Sequence, residues 1–457
     1  MSATELFRPP APKPLSPLMG LMRCIADGEG DLLKLLPTDA YNVDVGTLGY
    51  SRRQIVIVNK PELTRHMMTE ALDLYPKNDL MKGALSPLVG NSLFTSDGAV
   101  WERQRRMVEP AFSFMRIGNA FQAMQAAVDD YAGSLADAAD DGKPFSLDFA
   151  MSHLTADIIC RTVFSASLQS NVARDVFESF AVFERSVSNV KLSRLIFGKA
   201  WTEVTQPDVV LDACRVIRER LGALIDVCAA ESPADSDLAR VVIDARDQDD
   251  GSAFTRDELI DQLGVFFLAG HETTASVLTW TFFVIASRPE IADRIRSEVA
   301  EYVDERPIGF DDIKKLSYTR NVFREALRLY PPLTFIPRVA AERTEIGGQK
   351  IKKGAMVMIA PWTIHRHRKY WRDPEVFDPD RFSSERGKEI QRGSYIPFGQ
   401  GPRVCAGATF AQIESTLILG SIVRDFDFEV MDADKVEPVA RLTTRPKHEI
   451  MCRVRRR

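Results

Sequence analysis

The residues best suited to chemistry stand in one short run, Phe398-Gly399-Gln400-Gly401-Pro402-Arg403-Val404-Cys405-Ala406-Gly407, where a single cysteine lies between glycine-rich turns and a helix-like stretch from Ala408 to Arg424. A cysteine at the start of a helix sees the positive end of the helix dipole and free backbone N–H groups, so its thiolate form is favoured. A thiolate in that setting can ligate iron. Gly399 and Gly401 permit backbone angles and close approach that other residues forbid, and Gly407 has no side chain to collide with a flat macrocycle. A buried thiolate also needs hydrogen-bond donors, which turn N–H groups can supply. Two plainer readings compete. Gly399-x-Gly401 could open a dinucleotide-binding fingerprint, but its third glycine would fall at Val404 and no strand–helix unit precedes it. A lone buried cysteine is ordinarily a small hydrophobe.

Two other constellations deserve chemical readings. His271-Glu272 begins like a zinc-protease motif, but position 275 is alanine where a second histidine is required. Glu325-Ala326-Leu327-Arg328 sets an acid and a base at i,i+3, a spacing that usually makes a solvated bridge worth about 0.2–0.5 kcal/mol.

Together these runs resemble the cytochrome P450 family. Phe398, Gly399, Gly401, Arg403, Cys405 and Gly407 stand at the spacing of its cysteine-ligand signature. The resemblance implies haem b with Cys405 as the iron ligand, an arrangement that pushes electron density toward O–O cleavage. It also implies cofactor contacts from Phe398, Arg403 and Gly407, from Ala269, from the Trp101-x-x-x-Arg105 pair as propionate donors, and from Arg338 as a propionate-binding arginine. Ala269-Gly270-x-Glu272-Thr273-Thr274 resembles the family's oxygen-binding segment. There Gly270 would let a helix open into a groove, and Glu272 with Thr273 would form a catalytic acid–alcohol pair delivering the two protons that O–O heterolysis requires. His271 is then a structural histidine, and Thr274 bonds a backbone carbonyl. Glu325 and Arg328, joined by Arg381 from Asp380-Arg381-Phe382, become a buried structural network. Leu333, Thr334, Phe335 and Ile336, with Phe94 and Phe266, would face substrate beneath a roof formed by residues 172–201 and its Phe177, Phe180, Phe183 and Phe197.

These residues need particular elements to position them. Residues 1–40 read as a proline-rich arm and lead-in, expected to lie on the surface, and 41–457 as a single domain. Tyr41 to Leu48 and Gln54 to Val58 flank a Gly49-Tyr50-Ser51 turn and predict a hairpin, followed by a helix from Pro61 to about Ala71. Leu72 to Val100 shows no sustained period and reads as irregular chain, after which Asp97 or Gly98 can cap a helix carrying Trp101 and Arg105. Residues 117–247 read as helices broken near Gly142-Lys143-Pro144, Pro207 and Ser232-Pro233. The Thr255-x-x-Glu258 capping box opens a helix through Ser287, long enough to cross the domain. His271-Glu272 at its middle argues against a membrane span, since a charged residue there would cost ~2.5–3.5 kcal/mol. A helix from about Thr319 to Leu329 follows. Leu333 to Ile359 reads as short strands with a Gly347-Gly348 turn, His365-Arg366-His367 as a polar turn, and Pro438 to Val454 as a hairpin whose tip touches substrate. The implied fold is mainly α with a minor β region, triangular in outline, with haem between the long central helix and the Cys405 loop.

Composition bounds the function. Fifty-nine basic against 64 acidic residues give a net charge of −5, with no general attraction to nucleic acid or anionic membrane. The cysteines show no CxxC or zinc spacing, which fits a reducing, cytoplasmic location. No apolar leader or membrane anchor is read in Met1 to Pro17, as in a soluble bacterial enzyme. The implied activity is a monooxygenase using O2, two electrons and two protons on a small apolar substrate such as a fatty acid, terpenoid, steroid or aromatic. With no flavin or iron–sulfur segment after Val454, electrons from NAD(P)H would arrive through a ferredoxin and a flavin-dependent ferredoxin reductase, docking near Arg103, Arg106, Arg116 and Arg392. A haem-thiolate isomerase or dehydratase and a gas-binding protein are the rivals; the Glu272-Thr273 pair disfavours both.

Overall fold

The structure, a computed structural model, describes residues 6–16, 18, 19, 22, 31, 33, 34, 36–48, 53–187, 206–230 and 238–457. Its helices, in chain order, are α1 (Pro61–Thr69), α2 (Asp79–Val89), α3 (Gly98–Val108), α4 (Phe114–Asp141), α5 (Leu147–Phe164), α6 (Asn171–Val187), α7 (Asp208–Ala230), α8 (Leu238–Ile243), α9 (Arg256–Ser287), α10 (Pro289–Tyr302), α11 (Ser317–Leu329), α12 (Pro361–Ile364) and α13 (Ala408–Asp425). The strands are β1 (Val45–Leu48), β2 (Ile55–Val58), β3 (Phe145–Ser146), β4 (Ile336–Val339), β5 (Thr344–Ile346), β6 (Gln349–Ile351), β7 (Met356–Ile359), β8 (Phe426–Val430), β9 (Pro438–Ala440), β10 (Thr444–Pro446) and β11 (Met451–Arg456). Helices dominate and the sheets are small, as the sequence implies.

The molecule is built around α9. Its capping box closes as the spacing requires, with Glu258 N–H donating to the Thr255 hydroxyl oxygen at 3.2 Å and Thr255 N–H donating to the Glu258 carboxylate at 2.8 Å. Two orphan donors are thereby satisfied at the start of a 32-residue helix. At 1.5 Å per residue it runs about 48 Å. Nearly every side chain from Leu259 to Ile285 is buried, so the helix is the core of the domain and not an amphipathic surface element. A Cβ on Gly270 would lie 2.7 Å from Ile159 Cγ1 of α5, so this glycine permits close approach of two helices. Farther along, the Trp280 ring stacks on Tyr330 at 4.1 Å, and its Nε1 donates to the Thr444 carbonyl at 2.8 Å. The latter bond anchors β10 against the central helix.

The principal sheet has the order β1-β2-β7-β4. The expected β1–β2 hairpin is antiparallel with Val45 opposite Val58; β2 runs parallel to β7, and β4 antiparallel to it. β5 and β6 pair across the Gly347-Gly348 turn, where both glycines have positive φ. β3, β11 and β8 form a second sheet, so the tail is a β9–β10 hairpin plus a separate strand rather than one long hairpin.

Other differences have physical reasons. The segment read as irregular from Leu72 to Val100 contains α2, started by Asn78, whose side chain accepts from Leu80 N–H at 2.8 Å. Gly83 and Pro87 lie within it and obscure its period; Pro87 falls in its last turns. The proline-rich arm is strapped to the domain, with the Tyr330 hydroxyl donating to Pro10 O at 2.7 Å and Phe377 N–H to Phe7 O at 3.0 Å. His365, Arg366 and His367 are buried rather than a polar surface turn. The Gly49-Tyr50-Ser51 turn, Phe197 with residues 188–205, and the Ser232-Pro233 break lie outside the described residues.

Candidate active site

The Cys405 run folds as its glycines demand. Gly399 and Gly401 take φ of +72° and +75°, and a Cβ on Gly401 would overlap the Met68 carbonyl oxygen. Cys405 N–H donates to Phe398 O at 2.9 Å, closing the loop just before α13. Of the described cysteines only Cys405 is exposed. It opens onto a groove of about 570 Å³ lined also by Arg105, Glu109, Phe112, Gln248 and Thr409. Although Cys405 opens to the groove, desolvation by the protein packed around it raises its thiol pKa, while the Gly407 N–H and the Arg105 charge pull it down. A Cβ on Gly407 would sit 4.0 Å from Cys405 Sγ, in ordinary contact, so the protein leaves this face of the sulfur uncrowded.

A second feature converges from distant parts of the chain. Lys77, Arg338 and Arg403 gather around one carboxylate, Asp97, beside the buried Trp101 ring. Arg403 Nη2 pairs with Asp97 Oδ1 at 2.9 Å, and the guanidinium carbon lies 5.3 Å from the Trp101 centroid. Lys77 Nζ donates to the carbonyls of Leu93 at 2.7 Å and Ser96 at 2.8 Å. Burial drives the Lys77 pKa down to about 7 and that of Arg338 to about 10, each aided by the repulsion of Arg403. Nε and Nη1 of Arg403 are buried and have no protein partner. Three buried cations sharing one carboxylate, with donors left over, fit a ligand bearing two carboxylates, as the haem propionates are. Asp97 occupies the N-cap position of α3 yet makes no capping bond, because its carboxylate is turned to this cluster.

The structure thus brings together Trp101, Arg338 and Arg403, and adds Lys77, which sequence reasoning missed. A lone lysine between Pro76 and Asn78 carries no periodic or motif signal; it reaches the site because Lys77 and Arg338 are bridged through their backbones. Arg105 is engaged elsewhere. Its Nη1 donates to the Val404 carbonyl at 2.8 Å and its Nη2 pairs with Glu109 at 3.0 Å. It therefore braces the Cys405 loop.

On α9, the Thr273 hydroxyl donates to Ala269 O at 2.6 Å, the local bond expected of a threonine in a helix. Glu272 is almost wholly buried and held by the carboxy-terminal hairpin. Thr443 Oγ1 donates to it at 2.6 Å, Arg445 Nε donates at 3.0 Å, and Arg445 Nη2 also reaches it. Burial works to raise the Glu272 pKa, but Arg445 and Thr443 override it and hold the carboxyl below its usual range. His271 is the structural residue expected. Its Nδ1 bonds Phe267 O at 2.7 Å, and its ring lies among Phe180, Phe267 and Phe177. Thr274, expected to bond a carbonyl, faces the buried Glu414 of α13.

Among the substrate-facing expectations, Phe94, Leu333, Phe335 and Ile336 are half-buried, while Thr334 and Phe266 are buried. Phe266 packs edge-on against Phe112 at 4.9 Å and so meets the groove beside Cys405 through that ring. The Glu325 network is complete. Arg328 Nε and Nη2 donate to its carboxylate at 2.7 and 2.8 Å, Asp378 N–H at 2.9 Å and Arg381 Nε at 3.3 Å. Of the arginines expected to meet an electron donor, Arg103 is paired with Glu258 and Asp247, and Arg106 with Asp247 and Asp249. Their charges are compensated within the chain. No helix among the described residues is long and apolar enough to cross a membrane.

Comparison with known proteins identifies the family and the fold. The family model described as cytochrome P450 matches residues 9–453. Cyclooctatin synthase of Streptomyces melanosporofaciens is 31% identical over 435 residues, covering 92% of this chain and 90% of that protein. Cyclooctat-9-en-7-ol 5-monooxygenase of the same organism is 31% identical over 419 residues, covering 89% and 86%. In fold, the structure matches the haem domain of cytochrome P450DA with a TM-score of 0.82 at 23% identity, over 99% of this chain and 98% of that one.

Proposed function

The chain belongs to the cytochrome P450 family of monooxygenases, and on that premise we propose that it oxidises a small apolar substrate at a haem ligated by the Cys405 thiolate. The haem, when bound, supplies the activation of O2 and the transfer of one oxygen atom to carbon. The chain supplies position, charge and protons. Cys405 would offer its sulfur from the mouth of α13, with the Gly407 N–H and Arg105 stabilising the thiolate. Lys77, Trp101, Arg338 and Arg403 would hold the propionates, with Phe398, Gly407 and Ala269 against the macrocycle. Thr273 gives its proton to the Ala269 carbonyl in a hydrogen bond, which leaves its oxygen lone pairs to accept from a donor in the chamber. Glu272, the neighbouring acid, would feed protons toward it.

Phe94, Leu333, Phe335 and Ile336, with Thr334 and Phe266, would form a largely apolar wall that excludes water and orients the substrate. A relative named for the carbocyclic alcohol cyclooctat-9-en-7-ol favours a terpenoid over a fatty acid, steroid or aromatic. Family members need a redox partner. We assign that role to a ferredoxin and its flavin-dependent reductase, docking on the groove face that carries Val404 and Cys405. Since Arg103 and Arg106 are internally paired, reversing Arg116 or Arg392 should slow reduction more than reversing either of them.

The observation that carries the reading is the pairing of an exposed thiol in a glycine-built loop with the under-compensated cation cluster. The test is the absorption spectrum of the reduced protein with carbon monoxide, alongside Cys405→Ser. A strongly red-shifted Soret band that the variant lacks is expected. An unshifted band, or no haem bound, overturns the assignment.

A further inference from the structure

Arg445 is the centre of a cluster in which one buried cation faces three carboxyl groups from three helices. It reaches Glu272 of α9 through Nε and Nη2, Asp148 of α5 through Nη1 at 2.6 Å, and Glu184 of α6 with 3.6 Å from Nε to Oε1. His271 of α9 also faces the cluster but is neutral, its pKa lowered by burial to about 4, and Thr443 contributes only a hydroxyl. With all three carboxyls ionised the cluster would hold two uncompensated negative charges, which burial disfavours strongly. One proton therefore belongs to it.

The hydrogen bonds decide where that proton sits. Glu272 takes two donors from Arg445 and one from Thr443, all of which favour its ionised form. Asp148 takes the remaining Nη1 and is partly open to solvent. Glu184 has only the long contact to Arg445, and that contact is to the same Nε that donates to Glu272, so the two carboxyl groups face one guanidinium nitrogen side by side. Burial, and then the charge of Glu272, raise its pKa to about 8. Two carboxyls this close share a proton rather than ionise together.

We propose that Glu184 carries the cluster's proton at neutral pH and is the positioning residue through which solvent protons reach Glu272. In the transfer, the O–H bond of Glu184 breaks as one forms on Glu272, and Glu184 then regains a proton from solvent at its accessible edge, where 21% of its side chain is exposed against 1% for Glu272. Arg445 keeps Asp148 as a partner throughout. Because Glu184 is carried by α6, the proton path exists only while α6 is seated against Arg445. This inference rests on the reading of Glu272 as the proton source for Thr273.

The test uses the haem-loaded enzyme, its infrared spectrum in H2O and D2O across pH 5 to 9, and turnover with a ferredoxin and reductase. In the native protein, separate from the persistent C=O band of buried Glu414, a protonated-carboxyl C=O band should be present at neutral pH and vanish with a midpoint near 8, as the cluster's shared proton is lost. Glu184→Gln should remove that band and the matching alkaline limb of the turnover profile, and enlarge the solvent deuterium isotope effect. Glu184→Asp should restore the band in part. A band and isotope effect unchanged in Glu184→Gln, while Glu272→Gln loses about 10²-fold in turnover, would overturn the role of Glu184 and leave Glu272 intact. Full turnover in Glu272→Gln would instead overturn the proton-source reading and this inference with it. Unchanged haem content and substrate-induced Soret shift in each variant exclude a folding defect.

Discussion

Arg403 Nη2 lies 2.9 Å from Asp97 Oδ1, yet Nε and Nη1 of the same buried guanidinium have no partner within the protein. An arginine satisfied on one edge only is costly unless a ligand completes it. Its neighbours Lys77 and Arg338 add to the imbalance. Arg403→Ala and Arg338→Ala should each weaken haem retention by ~1.5–3 kcal/mol, the range for hydrogen bonds to charged groups. The measurement is the rate of haem loss to excess apo-globin. Arg105→Gln should lose haem more slowly than either, because Arg105 braces Val404 and Glu109. Equal losses for all three would contradict the division of roles drawn here.

Gly401 offers a test of the loop itself. Its φ of +75° disfavours any side chain, and a Cβ there would meet Met68 O and lie 2.8 Å from Thr69 Cγ2. The left-handed conformation alone costs ~1–2 kcal/mol for an L-residue, and the clash is with backbone, which cannot rotate away. Gly401→Ala should therefore displace Cys405 relative to α13. The expected readout is a reduced share of the red-shifted carbon monoxide band at unchanged total haem.

The Glu325–Arg328 pair is fully buried, with both side chains at 0% exposure. Its carboxylate receives four donors, and Arg328 also donates to the carbonyls of His365, Pro374 and Val376. Removing one partner leaves an uncompensated charge, so Arg328→Ala should destabilise the fold by ~3–5 kcal/mol. Denaturant unfolding checks this. The double variant Glu325→Gln/Arg328→Ala should cost less than the sum of the single changes, since the second removes a group the first has already stranded.

What the sequence made legible was local. The Cys405 loop, the capped helix from Thr255 and the Glu325–Arg328 spacing each occupy one contiguous run, where turn chemistry, capping and helical period act over a few residues. Helix α2 was hidden because Gly83 and Pro87 interrupt its pattern. Lys77, Arg445 and Glu184 were hidden for a different reason. Each is a single charged residue on a loop, hairpin or helix, brought to its site by tertiary packing alone. Even Glu272, which the motif marks, owes its protonation state to a hairpin more than 170 residues later. The same limit applies to Arg103 and Arg106: charge can be counted along the chain, but Asp247, Asp249 and Glu258 neutralise it only in the fold.

The last prediction concerns acid stability and follows from His365. Its Nε2 accepts from Ile396 N–H at 2.9 Å, which requires a bare nitrogen, so its Nδ1 carries the proton toward the Arg328 carbonyl at 3.1 Å. Burial, reinforced by the charge of Arg328, lowers its pKa from 6.5 to about 3. Above pH 6.5 both folded and unfolded chains hold it neutral, and its contribution to stability is constant. Below that, the unfolded chain takes up a proton that the folded protein refuses. Stability should fall as pH drops from 6.5 toward 3, at a slope approaching about 1.4 kcal/mol per pH unit for this histidine. His271, lowered to about 4, adds to the loss over the upper part of the same window. In His365→Gln the protein should be less stable at pH 7, because the Ile396 and Arg328 bonds are weakened, yet its stability should decline less steeply between pH 6 and 4. Denaturant unfolding across that range decides it: a slope as steep as the native one would mean that His365 is already protonated in the folded protein, and that the Ile396 N–H has another acceptor.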